Sequence, residues 1–264
     1  HTPIQAKTER VARFAGKSNS PTHAHATYAA MISHLDDVAG QLINTLAGRN
    51  LLENTVIIFA SDNGALHNYS SQAPLRGEKG SYYEGGIRVP LVVSWPGHIE
   101  PGSRSEIPVT NLDFFPTLLE IADVARPADH ALDGDSLVPL LGGQGTLPAE
   151  RELVWHFPIY LQQYQGPNDS GTRDYLFRTR PGSVIRVGPC KLHQYFEDDG
   201  LELYHLEADP GERRNLAELH PEKTLELRHR LEMWRQRLNA PVPTEPNPRY
   251  DPAAETQALR AWLP

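Results

Sequence analysis

Asp62 and Asn63 stand together where the apolar run Thr55-Val56-Ile57-Ile58-Phe59-Ala60 stops in Ser61-Asp62-Asn63-Gly64. Their hard side-chain oxygens suit Ca2+ or Mg2+. The end of a buried strand is also where open α/β sheets bind their ligands. The quartet reads equally as a turn, because Asp, Asn and Gly each favour turns for reasons of their own. Calcium takes about six to eight oxygens, so two side chains supply only part of a shell. Lys79 lies among Gly77, Gly80, Gly85 and Gly86. Glycine lets backbone come close to an anion, and an ammonium group placed there offsets negative charge. The alternative is a solvated loop lysine, the common fate of that residue type. Arg76 and Arg88 flank this loop, and Glu84 can pair with one of them as scaffold. His67, three residues after Gly64, and His156, in Trp155-His156-Phe157-Pro158, could line a pocket. His23, His25 and His34 lack the paired spacing of a zinc site and read as surface or interfacial residues.

These groups need elements to hold them. Tyr28, Met31, Ile32, Leu35, Val38, Leu42 and Leu46 recur at spacings of three and four, the stripe of an amphipathic helix. Gly48 and Asn50 follow as stop signals. Thr55–Ala60 and Val89–Trp95 predict strands buried on both faces, as in a sheet covered by helices. Residues 65–86 read as a long loop. Asn111–Asp123 predicts a helix with Pro116 near its start, and residues 125–150 a Pro/Gly-rich linker or surface loop. Ser183–Val187, Lys191–Phe196 and Leu201–His205, separated by turn signals, predict an antiparallel meander. Leu227, Leu231, Trp234 and Leu238 mark a last helix, and the prolines after Ala240 predict an extended tail. The expected fold is α/β. Residues 1–150 would form part of a mixed sheet flanked by helices. Residues 151–264 would form a smaller α+β subdomain of antiparallel strands and one long helix.

Three stretches together carry a family signal: Ile57-Ile58-Phe59-Ala60-Ser61-Asp62-Asn63-Gly64, the glycine-rich Leu75–Pro90, and Glu202–Ala217 with its Asp209-Pro210-Gly211-Glu212 turn. In this order they resemble the sulfatase family, of the formylglycine-dependent arylsulfatase type, over roughly residues 1–240. The resemblance implies an alkaline-phosphatase-like fold and hydrolysis of a sulfate ester, on a small molecule or a carbohydrate. It implies that Asp62 and Asn63 are ligands of a Ca2+ ion (Mg2+ is possible) that holds the sulfate. It implies that Lys79 contacts the sulfate and the bridging oxygen. His1-Thr2-Pro3 is similar to a segment carrying an active-site histidine, so His1 would hydrogen-bond the sulfate or protonate the leaving alcohol. An imidazole titrating near ~6.5 suits that task. His67 and His156 occupy positions that border the substrate in such proteins, and a periplasmic or secreted location would follow.

The family places its nucleophile on a Cys or Ser followed by Pro at the second position and Arg at the fourth. Cys190 is followed by Lys191-Leu192-His193-Gln194, and Ser94 has Pro96 but His98 where Arg is needed. The chain therefore reads as the C-terminal portion of a sulfatase. The formylglycine and the N-terminal half would lie upstream of His1, and the isolated chain is expected to be inactive.

Composition narrows the rest. The 264 residues are enough for a sizeable core. A net charge of −8 and a pI near 5.8 argue against a nucleic-acid partner. No apolar run approaches the ~18 residues of a membrane span. A single cysteine excludes internal disulfides and a Cys-based zinc site; Cys190 reads as a partly buried small hydrophobe. Two other readings fit the same residues: a non-catalytic sulfate-ester or glycan-binding module, and a phosphoryl-transfer relative in the alkaline phosphatase superfamily. The Leu75–Pro90 motif disfavours the latter.

Overall fold

A computed structural model describes residues 3–17, 25–66, 68–143, 145–164 and 171–262. The elements, in chain order, are α1 (Thr8–Ala12), α2 (Ala26–Gly48), a 3-10 turn at Leu52–Asn54, β1 (Ile57–Ala60), α3 (Glu84–Ile87) and β2 (Leu91–Ser94). A second 3-10 turn at Asn111–Asp113 leads into α4 (Phe114–Ile121), followed by α5 (Val138–Leu141), β3 (Glu152–Phe157), β4 (Leu161–Gln163) and β5 (Phe177–Thr179). Last come β6 (Gly182–Val187), β7 (Cys190–Tyr195), β8 (Leu201–His205), α6 (Pro221–Leu238) and α7 (Pro252–Trp262). They divide into two compact units. One comprises residues 34–60 and 90–153; the other holds the described residues of 1–33, 61–89 and 154–264.

In the first unit β1 and β2 pair antiparallel, Ile57 opposite Ser94 and Ala60 opposite Leu91. Both strands fall where the apolar runs predict them, but they are not covered on both faces. Phe59 is 46% and Val92 60% exposed, because each strand has only the other as a partner among the described residues. The predicted stripe on α2 is equally open at Leu35, Val38 and Leu42. Around α4 a buried carboxylate does the organising. Asp113 accepts from the backbone N–H of Thr110 at 2.7 Å, the reciprocal half of a capping box. It also accepts from the amide of Asp135 at 2.9 Å and is paired with Arg151. The Pro/Gly-rich stretch between residues 125 and 150 is thus tied to the start of α4.

The second unit is built on a four-stranded sheet in the order β3-β6-β7-β8, with β4 and β5 forming a separate antiparallel pair. The predicted meander is β6-β7-β8, and β3, which the sequence pattern did not single out, extends it at the β6 edge. Side chains of a strand alternate between faces. Ile185, Val187, Leu192 and Leu203 therefore share one face and pack, all nearly or fully buried, with Leu227 and Leu231 of α6. Arg186, Lys191 and Tyr204 pair across the opposite face, as do Val184, His193 and Glu202. Cys190 packs partly buried against the apolar cluster. Helix α6 opens on Pro221 at its first turn and ends on Asn239 in the left-handed region, φ 48°.

The tail departs from expectation. It is not extended throughout, since α7 begins on Pro252, the last proline of that run. Pro252 occupies the helix start, where its missing N–H costs nothing, and the Asp251 carboxylate accepts from the amide of Ala253 at 2.9 Å. Glu255 of this helix pairs with Arg180 at 2.9 Å. No helix among the described residues is long and apolar enough to cross a membrane.

Candidate functional site

The loop that carries Lys79 is fastened to the turn after β1 by backbone alone. Gly64 N–H donates to the carbonyl of Gly86 at 2.9 Å, and Lys79 N–H donates to the carbonyl of Ala65 at 3.0 Å. Gly85 N–H donates to Arg76 at 2.7 Å and closes the neck of the loop. These approaches leave no room for side chains. A Cβ on Gly64 would fall 1.9 Å from the Gly85 carbonyl oxygen, and one on Gly85 2.4 Å from that of Gly77. Both glycines are thus required by backbone meeting backbone.

Lys79 is half-buried, Asn63 is half-buried and Asp62 is exposed. The Asp62 carboxylate makes no hydrogen bond or ion pair with any described residue, and the Ser61 hydroxyl donates to the Asn63 backbone carbonyl at 2.9 Å. Among the described residues the Asp62 oxygens and the Asn63 side chain are therefore uncommitted, which fits a hard cation. Among the described residues no three His, Cys, Asp or Glu converge on one point. Asp62 and Asn63 thus fit as part of a shell. His1 and His67 lie outside the described residues.

His156 on β3 is placed differently. Its Nδ1 is 2.7 Å from the Ser183 hydroxyl, and its Nε2 is 2.9 Å from the Pro241 carbonyl. Burial holds its pKa below the ordinary value. Both ring nitrogens are used inside the fold.

Beneath the Lys79 loop lies a cluster that the sequence reading missed. Lys191 Nζ is 2.9 Å from Glu84 Oε1 and 2.9 Å from Glu212 Oε1, and all three side chains are essentially inaccessible to solvent. Glu212 also accepts the backbone N–H of Glu84 at 2.6 Å, and His193 Nε2 lies 3.1 Å from its Oε1. Glu84 therefore pairs chiefly with Lys191; Arg88, the partner suggested by sequence proximity, stays 4.0 Å away. Tyr83 donates to Glu202 at 2.7 Å and Tyr204 donates to it at 3.0 Å. Burial raises the pKa of Glu212, but Lys191, His193 and the Glu84 amide outweigh it and hold the group down at about 2. Burial keeps the His193 pKa low, so the imidazole is neutral and donates from Nε2 to the carboxylate. The sequence signal for this cluster was faint. Lys191 and His193 alternate with Leu192, which marks a strand but not that both its faces are covered.

The fold is of the alkaline-phosphatase-like α/β kind. A phosphonate monoester hydrolase from Silicibacter pomeroyi shares the fold with TM-score 0.59 at 22% identity, over 80% of this chain and 40% of its own. The family description "Sulfatase" matches residues 1–124, and "N-sulphoglucosamine sulphohydrolase, C-terminal" matches residues 77–239. A sulfatase from Formosa agariphila is 35% identical over 92% of this chain and 45% of its own length. The solved structure of Ps i-CgsB in complex with k-i-k-neocarrahexaose superposes with TM-score 0.72 at 28% identity, over 89% of this chain and 47% of that one. The chain belongs to the sulfatase family. It spans less than half the length of the relatives it matches.

Proposed function

We propose that this chain is the C-terminal portion of a sulfuric ester hydrolase. On this reading it supplies part of the metal shell and one sulfate-binding cation, while the formylglycine nucleophile comes from the upstream half of the same protein. The observation that carries the proposal is the backbone stitching of the Lys79 loop to the Asp62-Asn63-Gly64 turn. It brings a candidate cation and uncommitted hard oxygens onto one small assembly. Residues 1–150 are then the end of the catalytic α/β domain, and 151–264 the smaller subdomain.

Asp62 and Asn63 would hold Ca2+, with Mg2+ as the alternative. When bound, the ion supplies positive charge to the sulfate oxygens. Lys79 donates hydrogen bonds to the sulfate and, as the ester bond breaks, to the bridging oxygen, where negative charge grows. His1 orients the sulfate or gives its proton to the leaving alcohol. His67 is a further candidate for contact with the substrate. His156 would have to release Ser183 or Pro241 to join it. A carbohydrate ester is supported as substrate by the neocarrahexaose complex of the related Ps i-CgsB.

The test is an assay with an aryl sulfate and Ca2+. The 264-residue chain alone should show no turnover, and the chain joined to its upstream half should show it. Turnover by the isolated chain overturns the divided site, and a preference of the joined protein for aryl phosphate overturns the sulfatase reading. Micromolar binding of a sulfated sugar to the isolated chain, measured by calorimetry, would favour a non-catalytic binding module instead.

A further inference from the structure

The Lys79 loop has two stems, and both rest on one face of the β6-β7-β8 sheet. At the first stem, the Arg76 guanidinium donates to the Tyr204 hydroxyl at 3.0 Å and to the Glu212 carbonyl at 2.9 Å, and lies 4.1 Å over the Tyr83 ring. At the second, the Glu84 carboxylate meets Lys191 Nζ at 2.9 Å and its backbone N–H meets Glu212 Oε2 at 2.6 Å. The remaining Glu84 oxygen makes no hydrogen bond and faces Arg186 at 3.8 Å. Glu212 thus touches both stems, through its carbonyl at one and its carboxylate at the other. Between the stems, the amide of Lys79 binds Ala65, and Gly86, just past the second stem, accepts from Gly64.

Charges buried this way are a poor route to stability, since apolar side chains of similar size commonly do as well or better. The other face of the same sheet is filled that way. What the charged face adds is geometry, because a carboxylate with a fixed set of donors has few alternative positions.

We infer that Lys191 and Glu212 are positioning residues: by clamping both stems of the loop they set where Lys79 and the Asp62–Asn63 turn stand relative to each other. The catalytic consequence rests on the sulfatase reading; the structural one does not.

The experiment compares Lys191→Met with Leu227→Ala, which weakens the same sheet from its apolar face, in the protein carrying its upstream half. Amide hydrogen exchange is read at Gly64, Lys79 and Gly85. Lys191→Met should speed exchange at these three amides at least tenfold while the amides of β6 and β7 stay protected. Leu227→Ala should leave the three unchanged. In parallel, kcat for an aryl sulfate should fall at least tenfold in Lys191→Met and stay at the wild-type value in Leu227→Ala, at a temperature where both remain folded. If Lys191→Met does not fold, the charge-neutral Glu84→Gln/Lys191→Met pair takes its place with the same expected outcome. Wild-type exchange at the three amides, or equal acceleration in both variants, overturns the inference. Absence of sulfate-ester turnover in the wild-type protein would sink the functional reading alone, since the exchange result decides this one without it.

Discussion

The two faces of the β6-β7-β8 sheet are made by the same strands and are both largely buried, yet they are filled by opposite chemistry. Toward α6, Ile185, Val187, Leu192 and Leu203 meet Leu227 and Leu231. Toward the Lys79 loop, Arg186, Lys191, His193, Glu202 and Tyr204 meet Tyr83, Glu84 and Glu212. An apolar face holds by contact area and accepts small shifts. A face of paired charges holds by distance and direction, and it fails abruptly when one member is removed. The structure uses the first kind to anchor a helix and the second to anchor the loop that carries the candidate sulfate contact.

The largest loss of stability is expected from breaking the charged face on one side only. Lys191→Met leaves two carboxylates buried without their common cation, which costs about 3–5 kcal/mol. Urea unfolding measures it, and a loss under ~1 kcal/mol would mean that the pairs are not formed as described. Leu231→Ala, on the apolar face, should cost about 2–5 kcal/mol by removing buried methyl groups and leaving a cavity. The two variants differ in kind as well. Restoring charge balance with Glu84→Gln should recover part of the first loss and none of the second.

Acid separates the faces further. Glu212 is held at about 2, below the ordinary 4.5, so the stability it adds is complete above about pH 4.5 and is lost as pH falls toward 2. The shift corresponds to roughly 3 kcal/mol at full protonation. His193, held low by burial, acts in the same direction. The unfolded chain takes up a proton below about pH 6.5 that the native imidazole refuses, so stability begins to fall there. The apolar face contributes no such slope. Urea midpoints measured from pH 7 to pH 3 should decline, and Glu212→Gln should flatten the acid end of the curve. A curve of unchanged slope in that variant would remove Glu212 from the acid response.

How far the sequence reaches follows the same division. The apolar face was legible, because Leu227, Leu231 and Leu238 repeat at helical spacing and the strands are set off by turns. The period of α2 was legible too, but not its exposure, since periodicity marks which residues share a face and not whether anything covers it. Helix α7 was hidden by the prolines before it. The charged face was illegible for a physical reason: a lysine and a histidine in a strand normally signal solvent. Only the long-range meeting of residues 84, 191 and 212 makes their burial tolerable. At the candidate site, Asp62, Asn63 and Lys79 stood out by motif. The hydrogen bond from Lys79 to Ala65 and the double engagement of His156 are tertiary facts with no local pattern.

The smallest effect on stability is expected at Lys79, which sits on the clamped loop without belonging to the clamp. Lys79→Ala should change the unfolding free energy by no more than ~0.5 kcal/mol, as at other sites outside a packed or paired cluster. In the protein joined to its upstream half it should lower sulfate-ester turnover at least ~100-fold, or about 2.7 kcal/mol, the usual loss for one donor to a developing anion. Lys191→Met is expected to be the reverse in character, with a large loss of stability and an activity loss that follows from misplacement. The pair of variants therefore separates the group proposed to meet the substrate from the groups proposed to hold it in place. If Lys79→Ala kept full turnover, the loop would still be a clamped structure, but Lys79 would not be its purpose. If it unfolded the protein, the lysine would belong to the scaffold after all.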